Sequence, residues 1–202
     1  MVEQKRTGET PEQELPFSES AIQVIEIAKE EAIKRNFNNV TPDHLLLALM
    51  QDKVIKNTLS EIGINPDEVR TAIDNVVQTG KNTYVSPIEK VGFTLLTQEL
   101  ISLSVTQAKI FHRQEDVTPF NLLSACLVMN LGLGVSILQQ SGLNKERLDQ
   151  ARDLYMILNQ LHETKSVLLN PMVDPKTRRS LVEIIGGATS LAKNLRPQQP
   201  HL

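Results

Sequence analysis

Two threonine–proline pairs, each followed by residues that could do chemistry, offer the best candidate site in this sequence. They read Thr41-Pro42-Asp43-His44 and Thr118-Pro119-Phe120-Asn121. Threonine before proline is typical of a helix start, where unpaired N–H groups and a partial positive charge favour an anion. At the first start, the Asp43 carboxylate could also bind a cation such as a guanidinium, whereas Phe120 at the second start cannot. The alternative is that Asp43 is an ordinary first-turn carboxylate, which the helix favours without any ligand.

Other kinds of chemistry find no support. The four histidines form no His-Glu-x-x-His pattern, and the single cysteine, Cys126, lies in an apolar run typical of a buried structural thiol. A phosphate-binding loop is missing, because Gly80-Lys81-Asn82 lacks the upstream glycine and the hydroxyl that would contact magnesium. Glu30 and Glu31 are expected on the exposed side of a helix. The sequence therefore predicts no enzyme, no cofactor and no metal.

Both helix starts belong to a tandem repeat that covers most of the chain. Phe17-Ser18 is matched by Phe93-Thr94, and Val40-Thr41-Pro42 is matched by Val117-Thr118-Pro119. A repeat of this length is a small helical bundle duplicated in tandem. Apolar residues recur at three- and four-residue spacing, and no alternating strand pattern appears. The predicted fold class is all-α: a tandem duplicated four-helix repeat forming a pseudo-twofold bundle, with a C-terminal helical extension.

Breaks in the helical pattern divide the chain into a tail, a domain and a C-terminal extension. Residues 1–16 are predicted to be a disordered tail, because they are polar and carry helix-breaking prolines. A domain at 17–163 follows, with repeat 1 at 17–78, a linker at 79–92 and repeat 2 at 93–163. Residues 164–202 form the extension, with one further helix that Gly186-Gly187 is expected to interrupt. Helix N-caps are predicted at Ser18, Thr41, Asn65, Thr94, Thr118 and Asn144. The run from Leu45 to Met50 is apolar around most of its helix, so we expect that helix to be central and buried.

Net charge and hydropathy argue against two classes of partner, nucleic acids and membranes. The formal net charge of −3 argues against a phosphate-backbone partner, and the Lys176, Arg178, Arg179 cluster is interpreted as a solvated helix face. No apolar run reaches the roughly 18 residues needed to span a bilayer, and no signal peptide is recognisable. We therefore expect no nucleic-acid partner, no membrane partner and a cytoplasmic location.

With both copies aligned, the chain resembles the Clp N-terminal domain family, the paired helical repeat that precedes the ATPase rings of Clp unfoldases. The resemblance rests on Phe17-Ser18-Glu19-Ser20-Ala21, on Ala28-Lys29-Glu30-Glu31-Ala32, and above all on Val40-Thr41-Pro42-Asp43-His44-Leu45-Leu46-Leu47-Ala48-Leu49. It covers about three quarters of the chain. The second copy departs from the pattern, since Phe120-Asn121 stands where Glu-His is expected.

The resemblance implies protein partners: adaptors, unfolding-prone substrates, or Clp ATPase and protease subunits. Some members bind phosphorylated arginine through the glutamate of each signature. Asp43 would keep one such site in shortened form, together with Thr41 and a facing Ser18–Glu19 segment. Phe120 would abolish the other site and is predicted to offer an apolar contact to a protein partner instead.

The resemblance also implies a role, although no ATPase module follows in this sequence. The leading hypothesis is a free-standing, non-catalytic interaction module that acts as an accessory or regulator of Clp-type proteolysis; Met1 and the polar tail favour it. One alternative is a stand-alone helical sensor or regulator of an unrelated partner, since fold does not fix function. Another is the N-terminal piece of a longer Clp ATPase.

Overall fold

A computed structural model describes residues 16–77, 80, 87–112, 116–169 and 174–195. The tail expected at 1–16 lies outside this range except for Pro16, and so do seven of the fourteen residues of the linker predicted at 79–92. Helices dominate the described residues, which confirms the predicted class. The elements are α1 (Glu19–Lys34), β1 (Asn39–Val40), α2 (Pro42–Leu49), α3 (Lys53–Glu61), α4 (Pro66–Val76), a 3-10 turn (Ile88–Lys90), β2 (Gly92–Phe93), α5 (Leu95–Thr106) continuing as a π-helical turn (Gln107–His112), α6 (Pro119–Met129), α7 (Leu133–Gln140), α8 (Lys145–Leu168) and α9 (Pro175–Leu195).

The predicted N-caps are confirmed by hydrogen bonds except at Thr118, which is the N-cap residue of α6 but whose side chain accepts no N–H from that helix. The Ser18 hydroxyl accepts the Ala21 N–H at 3.2 Å, and the Asn144 side chain accepts the Arg147 N–H at 2.8 Å. These bonds satisfy N–H groups that have no partner inside the helix. Caps of this kind also lie where they were predicted at Thr41, Asn65 and Thr94.

The second helix of each repeat forms the centre of the core. Every residue of α2 from His44 onward is buried, and so is α6 from Pro119 to Leu127. Helices that are apolar on nearly every side must be covered all round. Accordingly, α2 packs on α1 and α4 of its own repeat and on α5, α6 and α7 of the other.

The two repeats are joined by reciprocal strand pairing. β1 pairs in parallel with β2, with Val40 opposite Phe93, so the end of the first loop meets the beginning of the second repeat. The reverse contact is a bridge between Phe17 and Val117. Neither pairing was predicted, because two-residue strands carry no alternating pattern. Each repeat therefore completes the backbone hydrogen bonding of the other.

The C-terminal extension is a helical hairpin. α8 begins on the second repeat and continues beyond it, and α9 packs chiefly along α8. The expected interruption at Gly186-Gly187 is wrong, because both glycines lie inside an unbroken α9. Glycine disfavours a helix by only about 1 kcal/mol per residue, which packing along α8 can offset.

A single cooperative thermal transition is the expected consequence of this interlocking. Each repeat has roughly 60 residues, close to the size at which an isolated core is marginal, and the described core residues form one cluster drawn from both repeats. Scanning calorimetry of the whole chain should give one unfolding peak for residues 17–163. Two separated peaks, each assigned to one repeat, would contradict this.

Candidate functional site

The first helix start is closed by its own side chains. The Thr41 N–H donates to His44 Nδ1 at 3.1 Å, and the His44 N–H donates to Thr41 Oγ1 at 3.4 Å. This reciprocal capping box satisfies donors that the sequence left open for an anion. Because Nδ1 accepts a hydrogen bond, the neutral ring carries its proton on Nε2.

Asp43 links the two repeats. Its Oδ1 accepts the Gly134 N–H at 2.9 Å, across a sequence separation of 91 residues. Gly132, the N-cap of α7, has no side chain to cap that helix, so Asp43 supplies the missing acceptor from the other repeat. Burial raises the pKa of the Asp43 carboxyl above its ordinary value, and the Gly134 hydrogen bond opposes that rise.

The glycines around Asp43 fit this role. A Cβ built on Gly134 would lie 2.9 Å from Asp43 Oδ1 and 2.8 Å from a Leu46 methyl carbon. Gly132 has a φ of +93°, which side chains rarely adopt, and its Cβ would lie 2.7 Å from the same oxygen. The close approach of α7 to the α2 start therefore depends on glycine at both positions.

The second helix start has a different cap and an internal aromatic contact. The Thr118 N–H donates to Asn121 Oδ1 at 2.8 Å, so Asn121 replaces His44 in the capping box. Phe120 is only 7% exposed, and its ring centroid lies 5.7 Å from that of Tyr155 on α8. Little of the Phe120 ring is thus available for the partner contact predicted from the sequence.

Ser18, expected with Glu19 to face the first helix start, lies beside the second start instead. The Ser18 N–H donates to the Val117 carbonyl at 3.0 Å, next to the second start. Beside Thr41, the Thr94 N–H instead donates to the Val40 carbonyl at 3.0 Å. This position results from the reciprocal pairing of the repeats, which places the beginning of each repeat against the Thr-Pro start of the other.

A buried ion-pair cluster was not predicted from the sequence. Glu31 is 6% exposed, so the expectation that it lies on a solvated face is wrong. It pairs with Arg35 one turn later, and its Oε1 accepts hydrogen bonds from Arg70 at 3.2 Å and Gln51 at 3.1 Å. Arg35 also pairs with Asp74 on α4. The i,i+4 spacing of Glu31 and Arg35 was a usable signal for the first pair.

Exposed leucines are next in sequence to two backbone groups that contact the beginning of α2 or the residue before its cap, namely the Thr94 N–H bonded to Val40 and the Gly134 N–H bonded to Asp43. Leu95 is 70% exposed and Leu96 is 44% exposed, in the turn after Thr94. Leu133, 58% exposed, lies between the two glycines that approach Asp43. We call Leu95, Leu96 and Leu133 the leucine surface. Large exposed apolar side chains are candidates for contact with a protein partner.

Several other kinds of site can be assessed in the same residues. Among the described residues, no group of three or more His, Cys, Asp or Glu side chains could hold a metal ion. Cys126 is fully buried, and burial followed by the Asp43 charge raises the pKa of its thiol, which keeps it protonated. Within the described chain no single helix could cross a membrane; only α6 and α7 taken together, across a 98° bend, have the length and composition.

Comparisons with known proteins agree with this architecture. Residues 16–115 match the family described as the Clp repeat (R) N-terminal domain. The negative regulator of genetic competence ClpC/MecB of Bacillus subtilis is 24% identical over 153 residues, covering 74% of this chain and 18% of that protein. The chain spans less than a fifth of the length of the curated relatives it matches.

Solved structures show the same fold. The N-domain of ClpV from Vibrio cholerae matches with a TM-score of 0.59 and 19% identity, covering 77% of this chain and 93% of that one. A complex of the ClpV N-domain with a VipB peptide matches with a TM-score of 0.55 and 21% identity, covering 73% and 91%. Through this helical domain, the chain belongs to the Clp N-terminal domain family.

Proposed function

We propose that this chain is a non-catalytic protein-interaction module that works in the cytoplasm with Clp chaperone–protease machinery. Its partners are adaptors, substrates or Clp ATPase and protease subunits, and it acts as an accessory or regulator of Clp-type proteolysis. The observation that carries the proposal is the leucine surface. Its three side chains are exposed, whereas the residues of α2 from His44 onward are buried.

The position of the leucine surface supports partner binding. The Thr94 N–H bonded to Val40 fixes the backbone next to Leu95, and the Gly134 N–H bonded to Asp43 fixes the backbone next to Leu133. Both leucines therefore project from fixed backbone, so little conformational entropy is lost when a partner binds. The related ClpV N-domain is known with a bound VipB peptide, which is consistent with a peptide-binding role here.

The leucine surface can be tested by affinity capture from the source lysate followed by mass spectrometry. The baits are the native chain, the double variant Leu95→Asp/Leu133→Asp, and Val128→Asp as a matched control at a residue 50% exposed on α6. We expect the native and control baits to recover a Clp ATPase or protease subunit and the double variant to lose it. Consistent absence of Clp subunits from the native bait would instead favour a regulator of an unrelated partner.

We expect the purified chain to hydrolyse no ATP, because its only Gly-Lys pair, at Gly80 and Lys81, lacks the remaining residues of a phosphate-binding loop. Added to a Clp ATPase that captures it, the chain should change the rate of ATP hydrolysis or of proteolysis. A coupled phosphate-release assay follows ATP hydrolysis, and degradation of a fluorescent substrate follows proteolysis. Turnover that co-elutes with the chain through successive columns would contradict the first expectation.

Phosphoarginine binding should depend on the charge of Asp43 rather than on its role as a cap. In a titration followed by backbone amide shifts, a site at Thr41 and Asp43 should perturb the amides of the α2 start and, in the second repeat, only those next to Gly134, whose N–H Asp43 accepts. Asp43→Asn keeps an oxygen acceptor for Gly134 but removes the charge, so it should abolish binding and leave the fold intact. Asp43→Ala also uncaps α7, which should cost about 1 kcal/mol of stability. No shift at millimolar phosphoarginine would leave Asp43 a purely structural residue.

A further inference from the structure

We draw no further inference here: the strongest candidate, the C-terminal helical hairpin of α8 and α9 with its exposed Val182 and Ile184, carries none, because these two side chains project to opposite sides of α9 and nothing in the part of the chain that the structure describes shows what covers either of them.

Discussion

Replacing Arg35 with methionine is expected to lower the free energy of unfolding by about 3–5 kcal/mol. The Arg35 guanidinium pairs with Glu31 and Asp74, and only 8% of its side chain is exposed. Methionine preserves the unbranched apolar stem but leaves the buried Glu31 carboxylate without its main partner. The cost of removing one member of a buried pair is large because the remaining charge stays desolvated. Chemical denaturation at pH 7 measures the change.

Lys29→Met on the same helix is the matched control. Lys29 pairs with Glu26 at 2.8 Å, but 49% of the Glu26 side chain is exposed. Pairs in this setting contribute about 0–1 kcal/mol, because water screens both charges. Equal losses of stability in the two variants would contradict the assignment of a buried cluster around Glu31.

Acidification should remove the same stabilisation. Burial alone would raise the pKa of Glu31, but the hydrogen bond and charge of Arg35 bring it below its ordinary value of 4.5. The Arg35 hydrogen bond likewise lowers the pKa of Asp74. Since both carboxyls bind protons more weakly in the folded state, their contribution is present above their ordinary pKa values and is lost as the pH falls through the folded ones.

Lowering the pH from 7 to 4 is expected to lower the free energy of unfolding by a further ~3 kcal/mol, because His44 binds a proton more weakly in the folded state. His44 is fully buried, and burial followed by the Arg35 charge lowers its pKa from 6.5 to about 4, while Glu31 opposes the shift. The unfolded chain takes up a proton as the pH falls through 6.5, but the folded chain does so only near 4. Stability therefore declines from pH 6.5 downward. Urea midpoints measured at half-unit pH intervals give the slope.

His44→Asn provides the control, because the chain already uses asparagine for this purpose at Asn121. That side chain accepts the Thr118 N–H at 2.8 Å, so an asparagine in place of His44 can keep the cap without titrating. Between pH 7 and pH 4, the free energy of unfolding of the variant should fall by about 3 kcal/mol less than that of the native chain. Glu31, Asp74 and Asp43 titrate in both proteins and cancel in the comparison. An unchanged pH slope would show that His44 does not carry the effect.

The sequence by itself determined the features that depend on neighbours along the chain. Ser18, Thr41 and Asn144 are caps because the bonds they make reach only two or three residues ahead. The central position of α2 followed from Leu45 to Met50, since a helix that is apolar all round has to be enclosed. The duplication gave the all-α class and the family resemblance, because both rest on the order of residue types.

Tertiary structure decided which residue each polar group meets. Asp43 was predicted only as a first-turn carboxylate or a ligand-binding one, and the packed structure added its hydrogen bond from the Gly134 N–H, 91 residues away. Glu31 was expected to be solvated, but α4 packs Arg70 against it. Ser18 lies beside Val117 because the beginning of each repeat pairs with the Thr-Pro segment of the other. Capping and periodicity are local, whereas the burial and partner of a charge depend on distant elements that pack against it. Only the packed structure contains that information.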